Sequence, residues 1–128
     1  MVDDTRPHLV PGPDHPITVT PTGRHVTARV GGVVVADTDA ALTLQESTYP
    51  AVQYVPLGDV DPALLQRTDT HTWCPYKGEA SYYSLVVPDA DADLTDAVWI
   101  YETPSEAVAG IAGHVAFYPN RVAVEVEG

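Results

Sequence analysis

The chain has 128 residues, of which 45% are hydrophobic, and it carries a formal net charge of −12. A chain of this length suits one domain and buries roughly two-thirds of its unfolded surface, so it needs no disulfide or metal ion to fold. Its six basic residues are scattered among eighteen acidic ones, a balance that excludes nucleic acid and anionic membranes as expected partners and instead favours solubility.

Residues 1–16 contain four prolines and no periodic apolar pattern, which predicts an extended or disordered N-terminal arm. A single β-rich domain is expected over residues 17–128, where β-branched and aromatic residues alternate with polar ones between turn signals. Gly31-Gly32 is typical of a two-residue hairpin turn. Strands are predicted at 17–20, 25–30, 33–36, 41–45, 52–55, 71–74, 80–87, 97–101, 114–118 and 122–126.

Two short helices interrupt this pattern. An Asp61-Pro62 pair inside 59–65 predicts the first, because Asp caps a helix and Pro is favoured at its first position. Ser105 is expected to cap the second, over 106–111. The last two strands are expected to form a hairpin around Pro119-Asn120. About eight short strands with two short helices indicate a mainly β fold, either a curled β-sandwich or an open barrel.

Chemistry-bearing residues concentrate in the middle of the chain. The segment 71–84 contains the only cysteine, Cys74, and the only lysine, Lys77, and eight of the nine Tyr and Trp residues lie between Tyr49 and Tyr101. Aromatic rings give a pocket rigid walls, and their OH and NH groups orient polar ligands. Lys77 could supply an anion-binding charge or, if desolvated, a nucleophilic amine.

Cys74 permits two interpretations. It is a candidate nucleophile beside His71 and Lys77, although a free cysteine is more often a small buried apolar group. A single cysteine also allows no disulfide within the chain and fits a reducing cytoplasm. Since the sequence shows neither a signal-peptide pattern nor an apolar run of about 18 residues, a cytoplasmic location is expected.

No metal ion and no cofactor is expected. Cys74 has no Cys or His partner at zinc-ligand spacing. The acidic loop at 89–93 resembles a calcium loop but lacks the required glycine and the bidentate glutamate. Phosphate loops, dinucleotide fingerprints and nucleophile elbows are also absent from the sequence.

The segment CPYKGEASYYS, at 74–84, resembles the central signature of domain of unknown function family 427, which also carries a nucleotidyltransferase label. Similar blocks occur at 34–37, 44–46, 49–50, 54–56, 97–101 and 115–118, so the resemblance covers about residues 17–126. It implies a compact, mostly β domain, found alone or in tandem in bacteria and fungi. It does not imply template-style nucleotidyl transfer, since such enzymes grip a triphosphate with Gly, Ser and basic residues, and the chain has one lysine near its motif and no Gly-Ser phosphate turn.

Matching the family motif also implies one shared pocket, lined by Glu46, Tyr49, Tyr54, Cys74, Tyr76, Lys77, Glu79, Tyr82 and Trp99. The first hypothesis is an aromatic-walled pocket that binds, with or without a reaction, a small anionic or carbonyl-bearing molecule. Its catalytic candidates are Lys77, Glu46 and Cys74, with Glu46 or Glu79 as general base or hydrogen-bond anchor. The ligand-binding candidates are Tyr49, Tyr54, His71, Tyr76, Glu79, Tyr82 and Trp99.

The second hypothesis is a non-catalytic module for protein interaction or self-association, because Tyr and Trp are typical of interface hot spots. A purely structural role for the motif is a third. The sequence leaves a monomer and a homodimer equally open.

Overall fold

The computed structural model describes residues 6–90 and 93–127. Ten strands and three short 3₁₀ helices form within these ranges. The helices span Leu57–Asp59, Pro62–Leu64 and Glu106–Ile111. The strands are β1 (Ile17–Pro21), β2 (Val26–Val30), β3 (Val33–Thr38), β4 (Leu42–Glu46), β5 (Val52–Pro56), β6 (Leu65–Cys74), β7 (Gly78–Leu85), β8 (Val98–Ile100), β9 (His114–Phe117) and β10 (Ala123–Val126).

The strands belong to two antiparallel sheets. The larger sheet has seven strands in the order β1-β4-β5-β9-β8-β7-β6, and the smaller has three in the order β10-β2-β3. Both sheets are open, because each ends in two edge strands rather than closing on itself. The prediction of a mainly β fold with few helices is confirmed, and each of the ten predicted strand segments overlaps an observed strand.

Local sequence explains one hairpin turn and the start of one helix. Val30 pairs with Val33 across Gly31-Gly32, and Gly31 has a φ of +57°, a conformation that glycine adopts without strain. This confirms the predicted hairpin. The carboxylate of Asp61 accepts a hydrogen bond from the Ala63 amide at 3.0 Å, as expected of a cap preceding a proline.

The Ser105 cap was predicted wrongly. Ser105 stands at the N-cap position of the Glu106–Ile111 helix, but its side chain makes no capping hydrogen bond. The backbone of Ser105 makes the hydrogen bonds at this position instead. Its amide donates to the Lys77 carbonyl at 2.9 Å, and its carbonyl accepts from the Val108 amide at 3.0 Å. The helix is thereby attached directly to the turn between β6 and β7.

The predicted C-terminal hairpin is also wrong. β9 pairs with β5 on one side and β8 on the other, so neither of its edges is available to β10. The chain turns after Tyr118, where the Arg121 amide donates to the Tyr118 carbonyl at 3.0 Å, and crosses to the smaller sheet. There β10 pairs with β2.

Alternation along the strands divides the larger sheet into two faces. One face packs on β2 and β3 and forms the inter-sheet core, a mostly aliphatic set that includes Val26, Val55, Val98, Ile100 and Val115. The opposite face forms the aromatic cluster, which the Glu106–Ile111 helix helps to cover. Its buried members are Leu44, Tyr54, Ala80, Tyr82, Tyr101, Val108, Ile111 and Ala116.

The described part of the N-terminal arm, residues 6–16, lies against the β6–β7 hairpin. The Leu9 amide donates to the Pro75 carbonyl, and Trp73 Nε1 donates to the Pro7 carbonyl, both at 2.9 Å. The Arg6 guanidinium lies 3.8 Å from the centre of the Trp73 ring. Residues 1–5 of the arm lie outside the described residues. None of the helices in the described ranges has the length and apolar character needed to cross a membrane.

Candidate functional site

A cavity of about 410 Å³ opens on the aromatic side of the larger sheet. We call it the aromatic cavity. Strands β4, β5, β7 and β8 contribute to its lining, as do the turn after β4, the turn before β7 and the segment after β9. Its lining residues are Leu44, Glu46, Tyr49, Pro50, Val52, Tyr54, Lys77, Tyr82, Trp99, Tyr101, Tyr118 and Pro119.

Ring contacts make one wall of this cavity rigid. Trp99 Nε1 donates a hydrogen bond to the Tyr54 hydroxyl at 3.1 Å, and the two rings meet edge to face. Trp99 also contacts Tyr118, with the ring centres 4.7 Å apart. Burial raises the pKa of Tyr54, and the hydrogen bond from Trp99 offsets only part of that effect. The Tyr54 phenol is therefore neutral at any physiological pH.

Tyr101 presents an unused hydroxyl to the same cavity. Its side chain is 6% exposed, and burial raises its pKa, so the hydroxyl stays protonated and can donate. The hydroxyl makes no hydrogen bond to any residue that the structure describes. Since every fully enclosed side-chain nitrogen or oxygen in the described ranges has a partner, this oxygen is not fully enclosed, and Tyr101 is one of the residues that line the cavity.

Lys77 is presented by the tight turn between β6 and β7. Its amide donates to the Cys74 carbonyl at 3.2 Å, and its carbonyl accepts from Ser105, so the backbone is fixed on both sides. Gly78 follows with a φ of +108°, a conformation that a residue with a side chain would adopt only under strain. Lys77 Nζ donates to Glu46 Oε1, and the two side chains are only 12% and 14% exposed.

His15, from the N-terminal arm, completes a three-residue chain with Glu46 and Lys77. His15 Nε2 lies 2.8 Å from Glu46 Oε2, and its ring stacks on Tyr76 with the ring centres 4.1 Å apart. Burial alone would raise the pKa of Glu46, but the hydrogen bonds from Lys77 and His15 outweigh it and lower the pKa. Glu46 is thus ionised and weakly basic, which favours an anchoring role over a general base.

The family model described as Domain of unknown function (DUF427) matches residues 18–128. The chain belongs to this family. The prediction drawn from the central motif is thereby confirmed. No curated protein matches the chain. The matched region of this DUF427 domain contains Glu46, Lys77 and the whole aromatic cavity, whereas His15 lies before its first residue.

The structure brings together only some of the residues that the sequence proposed for the site. Glu46, Tyr49, Tyr54, Lys77, Tyr82 and Trp99 all line the aromatic cavity. Cys74 does not, although it packs, partly buried, against the aromatic cluster. Tyr76 is absent from the lining, and its ring stacks on His15, which in turn contacts Glu46.

His71 and Glu79 lie outside the lining of the cavity. On β7, Ala80 and Tyr82 belong to the aromatic cluster, so strand alternation turns the neighbouring Glu79 to the other face. There His71 Nδ1 lies 3.8 Å from Glu79 Oε1 and 3.3 Å from Ser81 Oγ. Both His71 and Glu79 are about half exposed. The catalytic and binding roles assigned from sequence remain predictions for every candidate.

Three residues with polar side-chain groups in or beside the cavity were missed by the sequence reasoning. Tyr101 lies inside the aromatic-rich region, so its position in the chain was a usable signal. Tyr118 lies outside that region, and only the pairing of β9 with β8 brings it to Trp99. His15 lies in a proline-rich arm, where no local pattern indicates that it reaches Glu46.

Within the described ranges, no group of three or more His, Cys, Asp or Glu side chains is arranged to hold a metal ion. Part of the acidic loop at 89–93 that resembles a calcium loop, residues 91–92, lies outside the described residues.

Proposed function

We propose that this DUF427 domain binds a small anionic or carbonyl-bearing molecule in the aromatic cavity, with Lys77 as its anchor. The observation that supports this most is the Lys77–Glu46 ion pair, largely withdrawn from water, in the cavity wall. Such a pair adds little net stability, because removing two charges from water costs about as much as their attraction returns. Ionisable groups placed at that cost in a pocket are typical of functional sites.

The donors around the cavity suit an oxygen acceptor. The Lys77 ammonium has three N–H donors, of which Glu46 takes one. The Tyr101 hydroxyl is a further donor with no partner among the residues described. A carboxylate or carbonyl oxygen could accept from both, while the rings of Tyr54 and Trp99 would contact the apolar body of the ligand.

The proposal is one of binding, and it requires no reaction. The lowered pKa of Glu46 makes it a poor proton acceptor, and the Lys77 amine is engaged in donating a hydrogen bond to the same carboxylate. A cytoplasmic location is part of the proposal and is supported by the single, unpaired cysteine.

The test is a titration of the protein with two small aromatic probes, 4-hydroxybenzoate and 4-hydroxyacetophenone. Binding is measured by calorimetry and by changes in NMR chemical shifts. We expect saturable binding of at least one probe. Loss of one hydrogen bond from a charged donor should weaken binding by about 10- to 100-fold, so Lys77→Met should reduce affinity by that factor. Tyr101→Phe should reduce it by about 5- to 10-fold. His71→Ala, outside the cavity, is the matched control and should bind like the parent.

Two results would overturn the proposal. One is that neither probe binds the parent chain at millimolar concentration. The other is that binding occurs but is indifferent to both Lys77→Met and Tyr101→Phe. The competing hypothesis of a self-association module predicts something different. Sedimentation would then show an oligomer that dissociates when the exposed Tyr49 is changed to serine.

A further inference from the structure

A second cavity, of about 550 Å³, lies beside the aromatic cavity. We call it the polar cavity, because threonine, aspartate, asparagine and arginine side chains make up most of its lining. Tyr82 and Tyr118 are the exceptions, and the same two residues line the aromatic cavity. The two hollows therefore lie on either side of one pair of phenols.

The boundary between the cavities is a hydrogen-bonded pair rather than packed backbone. The Tyr82 hydroxyl lies 2.9 Å from Thr72 Oγ1 and 3.5 Å from the Tyr118 hydroxyl. Tyr82 is 7% exposed and fixed, whereas Tyr118 is 37% exposed. The 3.5 Å separation is at the outer limit of a hydrogen bond, so this bond closes the boundary only weakly, and the ring contact with Trp99 is what holds Tyr118 in place.

The charges of the polar cavity compensate one another only in part, since two carboxylates, Asp93 and Asp96, stand against one guanidinium, Arg121. Asp96 accepts hydrogen bonds from Thr68 and Thr70 at 2.6 and 2.7 Å, and these bonds lower its pKa. Asp93 accepts from the Thr95 amide at 3.0 Å, which lowers its pKa as well. Both carboxylates are ionised, and the positive charge of Arg121 acts on both.

This arrangement selects the chemistry of a guest. A phosphate or sulfate would meet two ionised carboxylates, and a cation would meet the Arg121 guanidinium. Hydroxyl groups both donate and accept, so they match a lining that mixes carboxylates, threonine hydroxyls and the Asn120 amide. The partly exposed Tyr118 ring adds an apolar surface against which the C–H groups of a sugar ring can pack.

We propose that the ligand of the aromatic cavity extends past Tyr82 and Tyr118 and places a neutral, hydroxylated portion, such as a sugar ring, in the polar cavity. This rests on the proposed function, because the acidic or carbonyl end of the ligand is held at Lys77. The ligand class is then an aromatic or apolar acid or carbonyl compound joined to a polyol.

The test uses matched probes that differ only beyond the aromatic ring. These are 4-hydroxybenzoate, 4-carboxyphenyl β-D-glucopyranoside and 4-carboxyphenyl phosphate. We expect the glucoside to bind about 10-fold tighter than 4-hydroxybenzoate, the gain that one or two added hydrogen bonds provide. Asn120→Ala should weaken glucoside binding by about 3- to 10-fold and leave the affinity for 4-hydroxybenzoate unchanged. Gln66→Ala, an exposed amide lining neither cavity, is the matched control.

The outcomes separate this inference from the function on which it rests. If 4-hydroxybenzoate binds through Lys77 but the glucoside binds no better, the inference fails and the proposed function stands. If the phosphate probe binds tighter than the glucoside, the neutral-polyol class is wrong. If none of the three probes binds, the proposed function fails and this inference with it.

Discussion

Consecutive residues of β8 point to opposite faces of the larger sheet, and the two faces differ in chemistry. Val98 and Ile100 enter the inter-sheet core, which is almost entirely aliphatic, whereas Trp99 between them joins the aromatic cluster. β9 repeats the pattern, with Val115 in the core and Ala116 on the aromatic side. One strand thus supplies closed packing on one face and a wall of the cavity on the other.

The difference indicates where stability and binding reside. The inter-sheet core is buried and apolar, and its contribution to stability follows the apolar area that it buries. The aromatic face retains a cavity, phenol hydroxyls and a partly buried ion pair, all of which cost packing or desolvation energy. Substitutions on the first face should therefore unfold the domain, and substitutions on the second should alter binding first.

The largest effect is expected from Ile100→Ala. Ile100 is 1% exposed and lies between the two sheets, so its truncation removes apolar contact and leaves a void. We expect a loss of about 2 to 5 kcal/mol in the free energy of unfolding, measured by urea denaturation. A cost below about 1 kcal/mol would show that the inter-sheet core does not carry the stability of the domain.

A smaller effect is expected at the ion pair. Lys77→Met leaves the Glu46 carboxylate with His15 alone and should cost about 2 kcal/mol, less than for a fully buried pair because both side chains keep some solvent contact. Adding Glu46→Gln should restore part of this loss. A coupling free energy near zero in this double-mutant cycle would mean that the two side chains do not interact in solution.

The pH dependence of stability should change with Glu46. Its folded pKa is lowered below the ordinary 4.5, so the unfolded chain binds more protons between the two values. The stabilisation from Glu46 is therefore fully present above about pH 4.5 and is lost as the pH falls through the lowered value. Glu46→Gln should therefore make the free energy of unfolding fall less steeply with decreasing pH. Chemical denaturation at several pH values between 3 and 7 would measure this, and a slope equal to that of the parent would contradict it.

The smallest effects are expected from two matched tyrosine substitutions on the aromatic face. Tyr54→Phe removes the acceptor of Trp99 Nε1 and should cost about 1 kcal/mol. Tyr101→Phe removes a hydroxyl with no partner in the described ranges and should stay within about 0.5 kcal/mol of the parent. Thermal and urea unfolding of the pair would measure both, and equal costs would argue that Tyr101 is bonded in solution.

The sequence predicted the fold class well because its signals are local. Alternating residues, the Gly31-Gly32 turn and the Asp61 cap each act within a few positions, and each produced the expected element. The C-terminal hairpin failed for a non-local reason, since β9 already has a neighbour on each side and no local signal reports that. Likewise, β6 begins at Leu65, whereas the sequence predicted a strand only from residue 71. The pairing register of β6 with β7 shifts between Arg67 and His71, and this break in the pattern hides the first half of the strand.

The site was predictable where strand alternation and the family motif act together. Lys77, Glu46 and Trp99 line the same cavity because their positions in the strands and turns fix their direction. Glu79 was wrongly assigned to the site. It directly precedes Ala80 on β7, so it lies on the opposite face of the sheet from Ala80 and Tyr82. His15 could not have been found, because its contact with Glu46 depends on the path of a proline-rich arm with no regular structure of its own.

The pairing of β10 with β2 has a consequence for the order of folding. Residues near position 125 supply the edge of a sheet whose centre is formed near position 28. The smaller sheet can be finished only after these distant segments meet, and the entropy of closing so large a loop slows that step. Until then the aliphatic surface of β2 lacks its neighbour, so the expected penalty of this topology falls on folding rate and aggregation during synthesis rather than on the stability of the finished domain.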